Sequence, residues 1–243
     1  MIGWRRRQAV SPPVPVDQPD IGDPATEAAT GHRYEISSKL VVVSKPNSAA
    51  SGAFHRTANE LIHRHLALGR RGLAVCGASS GTGVTFTAAN LAVALGQAGV
   101  STLLIEANMR SPGLEGLVRP LRASDGLQQL LRSQVERSDV IHHDALTNLS
   151  LLYAGGVAGD ADELLAQARF RQVLRDCMRD YDCTIVDTPA ANRSAEARMI
   201  AVALGHAVIV GRRSFTFLDD TLLLSQQLAQ DGVTVVGSIF NGA

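Results

Sequence analysis

Apolar residues gather in short runs and helical stripes that alternate from about residue 37 to the end of the chain. Leu40-Val41-Val42-Val43 predicts a short strand, and Ala49 to about Leu68, with Phe54, Leu61 and Leu66 among its apolar positions, predicts a helix. Leu73 to Cys76 predicts a strand, and Val84 to Gln97 a helix closed by Gly99. Further strands are predicted over Thr102 to Glu106, Leu149 to Tyr153, Cys183 to Val186, Ala207 to Val210 and Val233 to Ile239. Gly126 to about Val135, Ala161 to Arg179 and Leu218 to Gln230 predict helices. The strand runs are continuous and rich in β-branched residues, the pattern of strands covered on both faces. Their alternation with helices predicts an α/β fold: a doubly wound, mostly parallel sheet flanked by helices. Such folds bind ligands at the carboxyl ends of their strands.

Residues 1–36 read differently. Pro12, Pro13, Pro15, Pro19 and Pro24 forbid helix there, and little is available to bury. This segment is expected to be a disordered tail ahead of one folded domain, residues 37–243. Trp4 beside Arg5, Arg6 and Arg7 could touch a membrane surface or a partner, but an ordinary solvated tail is the favoured reading. No apolar stretch follows these arginines, so they do not begin a signal peptide. No run of about eighteen apolar residues occurs, which leaves no transmembrane helix to expect. The net charge is zero over 243 residues, which argues against a nucleic-acid partner for the protein as a whole. Cys76, Cys177 and Cys183 are unevenly spaced in apolar stretches and read as reduced core residues of a cytosolic protein.

The chemistry concentrates after the strand at Leu73 to Cys76. Gly77-Ala78-Ser79-Ser80-Gly81-Thr82-Gly83-Val84-Thr85 lies close to the phosphate-binding pattern G-x-x-x-x-G-K-[ST]. Gly83 and Thr85 match it, whereas Ala78 stands for the first glycine and Val84 for the lysine. Gly81 and Gly83 let the backbone wrap with its N–H groups inward, and the following helix adds its positive end. Thr85 keeps a hydroxyl able to reach Mg2+. Val84 cannot neutralise β- and γ-phosphates, and a lost charge-assisted hydrogen bond is worth roughly 1.5–3 kcal/mol. A ligand-free strand-to-helix turn is the alternative.

Three blocks carry a resemblance. Ala78 to Thr85 runs into Ala89-Asn90-Leu91-Ala92; the second block is Leu103 to Pro112, and the third Tyr181 to Pro189. In order and spacing they resemble the P-loop, second Walker-like motif and Walker B strand of the bacterial tyrosine kinases. These share the MinD/ParA-like P-loop NTPase fold and serve capsule and exopolysaccharide export. Asn148-Leu149, Ala154-Gly155-Gly156, Glu163-Leu164-Leu165 and Gly237 to Asn241 extend the likeness over roughly residues 38–243. The resemblance implies ATP or ADP with Mg2+, weakly held here. Nucleotide contacts would come from Ser80, Gly81, Thr82, Gly83, Val84, Thr85 and Phe86, with Asn241 near the purine. Thr85 and Asp187 would serve the metal, and Glu106 and Asp187 occupy catalytic positions. The implied partner is a membrane polysaccharide co-polymerase, or chain-length determinant protein, holding this chain at the inner face of the membrane.

Departures from the family pattern point to impaired catalysis. The second motif's two aspartates are Glu106 and Asn108 here, and Asn108 cannot act as a base. A strand-end surface carboxylate is the competing reading of Glu106, and a surface position that of Arg110. The family's C-terminal tyrosine cluster has no counterpart before Ala243; the tyrosines are Tyr34, Tyr153 and Tyr181. Gly52, His55 and Ala58 replace the family's charged ring-assembly residues, so a monomer or small oligomer is expected, with the Phe54 face turned to the core. His63, His65, His142 and His143 lack metal-site spacing, the last two beside Asp144 in an expected loop. Arg212-Arg213 follows a strand and could meet phosphate or a partner carboxylate, but a solvated loop is the favoured reading. The leading expectation is a regulatory or structural relative of these kinases. A residually active autokinase or ATPase is one alternative. A MinD/ParA-like positioning ATPase is another, although neither Ala78 to Ser80 nor Val84 offers the lysines those enzymes carry.

Overall fold

The apolar runs at Leu73 to Cys76, Thr102 to Glu106, Leu149 to Leu152, Cys183 to Val186 and Ala207 to Val210 are buried because they form interior strands of one sheet. The run ending at Ile239 forms an edge strand and is partly exposed. The structure, a computed structural model, describes residues 34–122 and 124–242. Its strands are β1 (Tyr34–Ile36), β2 (Gly72–Gly77), β3 (Thr102–Glu106), β4 (Val118–Pro120), β5 (His142–Leu146), β6 (Leu149–Leu152), β7 (Cys183–Asp187), β8 (His206–Arg212) and β9 (Thr234–Asn241). The helices are α1 (Val41–Ser44), α2 (Ala49–Arg64), α3 (Val84–Gln97), α4 (Leu127–Leu131), α5 (Arg137–Val140), α6 (Ala161–Ala166), α7 (Ala168–Asp180), α8 (Glu196–Leu204) and α9 (Leu218–Gln230). The main sheet has the order β5-β6-β3-β7-β2-β8-β9. Only the β5–β6 pair is antiparallel; the other neighbours run parallel. The expected doubly wound α/β architecture is therefore present.

Side-chain alternation divides the core between the two faces of the sheet. Leu73 and Val75 of β2 enter the apolar layer that includes Phe54 and Leu91 from α2 and α3. Ala74 and Cys76 enter the opposite layer, with Phe170 of α7 and Ile200 of α8. α3 is buried continuously from Thr87 to Gly96, as expected of a helix apolar all round. α7 instead buries one stripe, Phe170, Val173, Leu174 and Cys177. Phe54 faces the core as expected and meets Phe86 edge-on, with ring centroids 5.8 Å apart. The three cysteines are free and buried; burial pushes the Cys76 and Cys183 thiols up to about 12.

Several elements differ from the sequence expectation. Leu40 to Val43 is not a strand. Its residues turn into α1, where the Val42 amide donates to Asn90 Oδ1 at 3.1 Å and Leu40 and Val42 pack into the core. A short apolar run fits either structure until its partners are known. His142 to Asp144 is not loop but part of β5, an edge strand whose outward face can carry polar side chains. α8 has no counterpart in the sequence expectation, and α4 ends at Leu131, short of Val135. The described fold also begins earlier than residue 37, because β1 pairs antiparallel with β4. The remainder of the expected tail, including Trp4 and Arg5 to Arg7, lies outside the described residues. No helix among the described residues is long and apolar enough to cross a membrane.

Candidate functional site

Parallel pairing brings the candidate groups to one edge of the sheet. Val75 and Glu106 both stand beside Asp187 in the strand register, so the β2–α3 loop leaves the sheet next to both carboxylates. Gly81 and Gly83 take left-handed backbone angles, φ +81° and +89°. None of the amides from Ser79 to Gly83 donates to a backbone carbonyl among the described residues. The loop thus presents a nest of N–H groups at the start of a fourteen-residue helix.

Side chains of the loop serve mainly to shape it. Thr82 is fully buried and donates its hydroxyl to the Ser79 carbonyl at 3.1 Å. A Cβ on Gly77 would lie 2.5 Å from Thr82 Oγ1 and 2.7 Å from Val84 Cγ2. Val84 therefore packs back on the end of β2, where the loop pattern calls for a cation. Ser80 and Gly81 are exposed at the tip. Phe86 leans on Phe54, as described above. Asn241 braces the loop from behind: its Nδ2 donates to the Thr82 carbonyl at 2.8 Å and lies 3.2 Å from Thr87 Oγ1.

This brace gives a direct test at Gly83. A Cβ there would stand 2.5 Å from Asn241 Nδ2, in a left-handed conformation. Gly83→Ala is expected to destabilise the protein by about 1–3 kcal/mol. Gly99 has nearly the same φ, +85°, and a Cβ there would meet nothing within 4 Å, so Gly99→Ala carries backbone strain alone. Urea unfolding of both variants should show Gly83→Ala losing clearly more. Equal losses would contradict the Asn241 brace.

Thr85 and Asp187 form the second pole of the site. Thr85 Oγ1 donates to Asp187 Oδ2 at 2.7 Å. Asp187 Oδ1 is buried and has no hydrogen-bond partner. Burial pushes the Asp187 carboxyl up to about 8; the Thr85 hydrogen bond works against this and the Glu106 charge adds to it. A hard divalent cation needs oxygen ligands of this kind. The hydroxyl and the orphaned carboxylate oxygen therefore fit Mg2+.

Glu106 is placed differently from the surface carboxylate considered above. It is 1% exposed. Its Oε1 accepts the Gly113 and Leu114 amides at 2.5 and 2.7 Å, and its Oε2 accepts the Ala154 amide at 3.2 Å. Burial raises its pKa, and these amides oppose the shift. Its carboxylate fastens two turns to the end of β3, with both oxygens engaged. Asn108 Oδ1 accepts the Ser111 amide at 3.3 Å. Arg110 is no idle surface residue: it pairs with buried Glu196 at 2.6 Å and with Asp162 at 2.9 Å.

A cleft of 380 Å3 opens over the loop and is closed on its far side by Asn108, Arg110, Thr188, Arg193 and Ser194. Sequence reasoning singled out neither Arg193 nor Ser194. No motif marks them, and backbone contacts between separate loops bring them here. Arg212 also lies against the loop, its Nη1 3.4 Å from the Gly81 carbonyl and its guanidinium 5.6 Å over the Phe215 ring. Arg212 is solvent-exposed as expected, but it ends strand β8 rather than lying in a loop. Four histidines serve packing: His65 meets His206 edge-on at 4.7 Å, and His142 and His143 bond the hydroxyls of Tyr34 and Tyr181.

Comparison with known proteins follows the same lines. No protein-family model matches the chain. The CapB protein of Staphylococcus aureus is 27% identical over 204 residues, which cover 84% of this chain and 89% of CapB. The tyrosine-protein kinase Etk of Escherichia coli K12 is 30% identical over 170 residues, covering 70% of this chain but only 23% of Etk. Among solved structures, the kinase domain of Escherichia coli Etk superposes with a TM-score of 0.75 at 27% identity, over 84% of this chain and 80% of that domain. The Pyrococcus furiosus cell division ATPase MinD shares the fold, with a TM-score of 0.61 at 22% identity over 71% of this chain and 72% of MinD.

Proposed function

Because the chain is a homologue of the bacterial tyrosine kinases, we propose that it serves capsule or exopolysaccharide assembly as a regulatory or structural nucleotide-site protein rather than as a kinase that turns over. A membrane co-polymerase would hold it at the inner face of the membrane. One observation carries the reading. The metal pole, Thr85 on Asp187 at 2.7 Å, is kept, while Val84 packs on Gly77 in the lysine's place. Thr85 and Asp187 would hold Mg2+ there, which would supply positive charge to the phosphates. The amide nest would orient the phosphates, and Asn108 offers no base to take a proton from an attacking hydroxyl. Loss of a single charge-stabilising group at a transition state commonly lowers kcat by roughly 100- to 1000-fold.

The tyrosines support the same reading. The Tyr153 hydroxyl donates to the Val118 carbonyl at 2.8 Å, and those of Tyr34 and Tyr181 each rest 3.1 Å from a histidine nitrogen. All three are held within the fold. Deleting the gene in its host should alter the amount or length of surface polysaccharide, while mass spectrometry finds no phosphate on Tyr34, Tyr153 or Tyr181. Unchanged polysaccharide would remove the assembly role. Phosphotyrosine that disappears in Asp187→Ala would restore the kinase alternative.

A further inference from the structure

A phosphate loop without its lysine needs a cation from elsewhere. Three arginines stand close enough to consider. Arg110 is committed to Glu196 and Asp162, at 2.6 and 2.9 Å. Arg212 lies on the Gly81 carbonyl and over Phe215, and it lines a separate depression with Arg213 and Ser214. Arg193 lines the cleft itself. It is exposed and forms none of the ion pairs among the described residues.

The backbone fixes where Arg193 starts. The turn after β7 is stitched to the phosphate loop by two hydrogen bonds, Ala191 N to Gly77 O at 2.9 Å and Asn192 N to Ala78 O at 3.0 Å. The Arg193 amide closes that turn on the Ala190 carbonyl at 3.2 Å. Beside it, the buried Ser194 hydroxyl has no hydrogen-bond partner and lines the same cleft. One side of the site therefore holds donors without acceptors: the loop amides, the Ser194 hydroxyl and the Arg193 guanidinium. Behind Thr85, which lines the cleft and bonds Asp187 Oδ2, stands a buried acceptor without a donor, Asp187 Oδ1. Donors around the cleft and a lone carboxylate oxygen behind Thr85 complement an anion paired with a divalent cation. A guanidinium also grips phosphate oxygens in a planar fork, which compensates for approaching from outside the loop.

We propose that Arg193, with Ser194 beside it, supplies from outside the loop the positive charge for the terminal phosphates of a nucleoside triphosphate that Val84 cannot provide. This rests on the nucleotide-site reading above and adds the residue that makes the site usable. Mg-ATP and Mg-ADP would be titrated into wild type, Arg193→Ala, Arg193→Lys, Val84→Lys and the Val84→Lys/Arg193→Ala double variant, with a fluorescent nucleotide as reporter. Arg193→Ala should weaken ATP about ten- to a hundredfold, and ADP less. Arg193→Lys should keep most of the affinity. In the Val84→Lys background the alanine change should have little effect, because the lysine then neutralises the same oxygens. A wild type that binds ATP no better than Arg193→Ala overturns the role of Arg193 and leaves the nucleotide site standing. Binding seen only after Val84→Lys also overturns it. Binding by none of the proteins overturns both the proposal and the reading beneath it. Thermal melts confirm that each variant is folded.

Discussion

In the Arg193→Ala background, Val84→Lys is expected to tighten Mg-ATP about ten- to a hundredfold, with a smaller gain for ADP and a smaller gain in wild type, where Arg193 already serves the same oxygens. The figure follows from one charge-assisted hydrogen bond, roughly 1.5–3 kcal/mol. Residue 84 opens α3, and its side chain already borders both Gly77 and the cleft. A lysine stem can leave along the cleft side without the branch that valine packs on Gly77. Little packing is lost, because Val84 is only partly buried. The gain should favour ATP, since the new ammonium reaches the β- and γ-phosphates. Turnover should stay low, because Asn108 is unchanged. Isothermal titration of both nucleotides checks the affinities. Equal affinity before and after the change in the Arg193→Ala background would mean that the loop no longer cradles phosphate at all.

The second large effect concerns Asp187 and pH. Its folded pKa, about 8, lies above the ordinary 3.8. Below about pH 4 the carboxyl is neutral folded and unfolded, and it carries no penalty. Between about 4 and 8 the unfolded chain gives up the proton that the folded chain retains. Stability therefore falls as pH rises across this window. The full shift would correspond to more than 5 kcal/mol at about 1.36 kcal/mol per unit, but relaxation and water entry around a buried charge reduce it, so about 2–4 kcal/mol is expected. Asp187→Asn removes this term and should be the more stable protein at pH 8 in EDTA, with near parity at pH 4. Mg2+ should then stabilise wild type and not the variant, since only a ligand of the native state shifts the balance. Urea unfolding at the two pH values decides it. Parallel pH profiles would place the Asp187 carboxylate in contact with solvent.

Much of this site was legible in the chain because its parts sit at the ends of long apolar runs. β2, β3 and β7 and the start of α3 follow from Leu73 to Cys76, Thr102 to Glu106, Cys183 to Val186 and the paired glycines. Partners distant in sequence were not legible. α1 needs Asn90, 48 residues away, to accept the Val42 amide. β5 reads as loop because His142, His143 and Asp144 are consecutive polar residues, which an edge strand tolerates and an interior strand does not. Glu106 could be placed at a strand end, but nothing near it announces the Gly113, Leu114 and Ala154 amides that fill its oxygens. Arg193 and Ser194 carry no pattern either. Their place depends on two backbone bonds from a turn to a loop more than a hundred residues earlier.

The central claim is a nucleotide site that keeps its metal pole and amide nest but lacks the groups for turnover. Calorimetric titration of wild-type protein with Mg-ATP and Mg-ADP, coupled to a phosphate-release assay on the same sample, tests it most directly. Weak magnesium-dependent binding, with ADP disadvantaged less than ATP and no steady phosphate release, is the expected result. Micromolar Mg-ATP affinity with sustained phosphate release, abolished in Asp187→Ala, would contradict it.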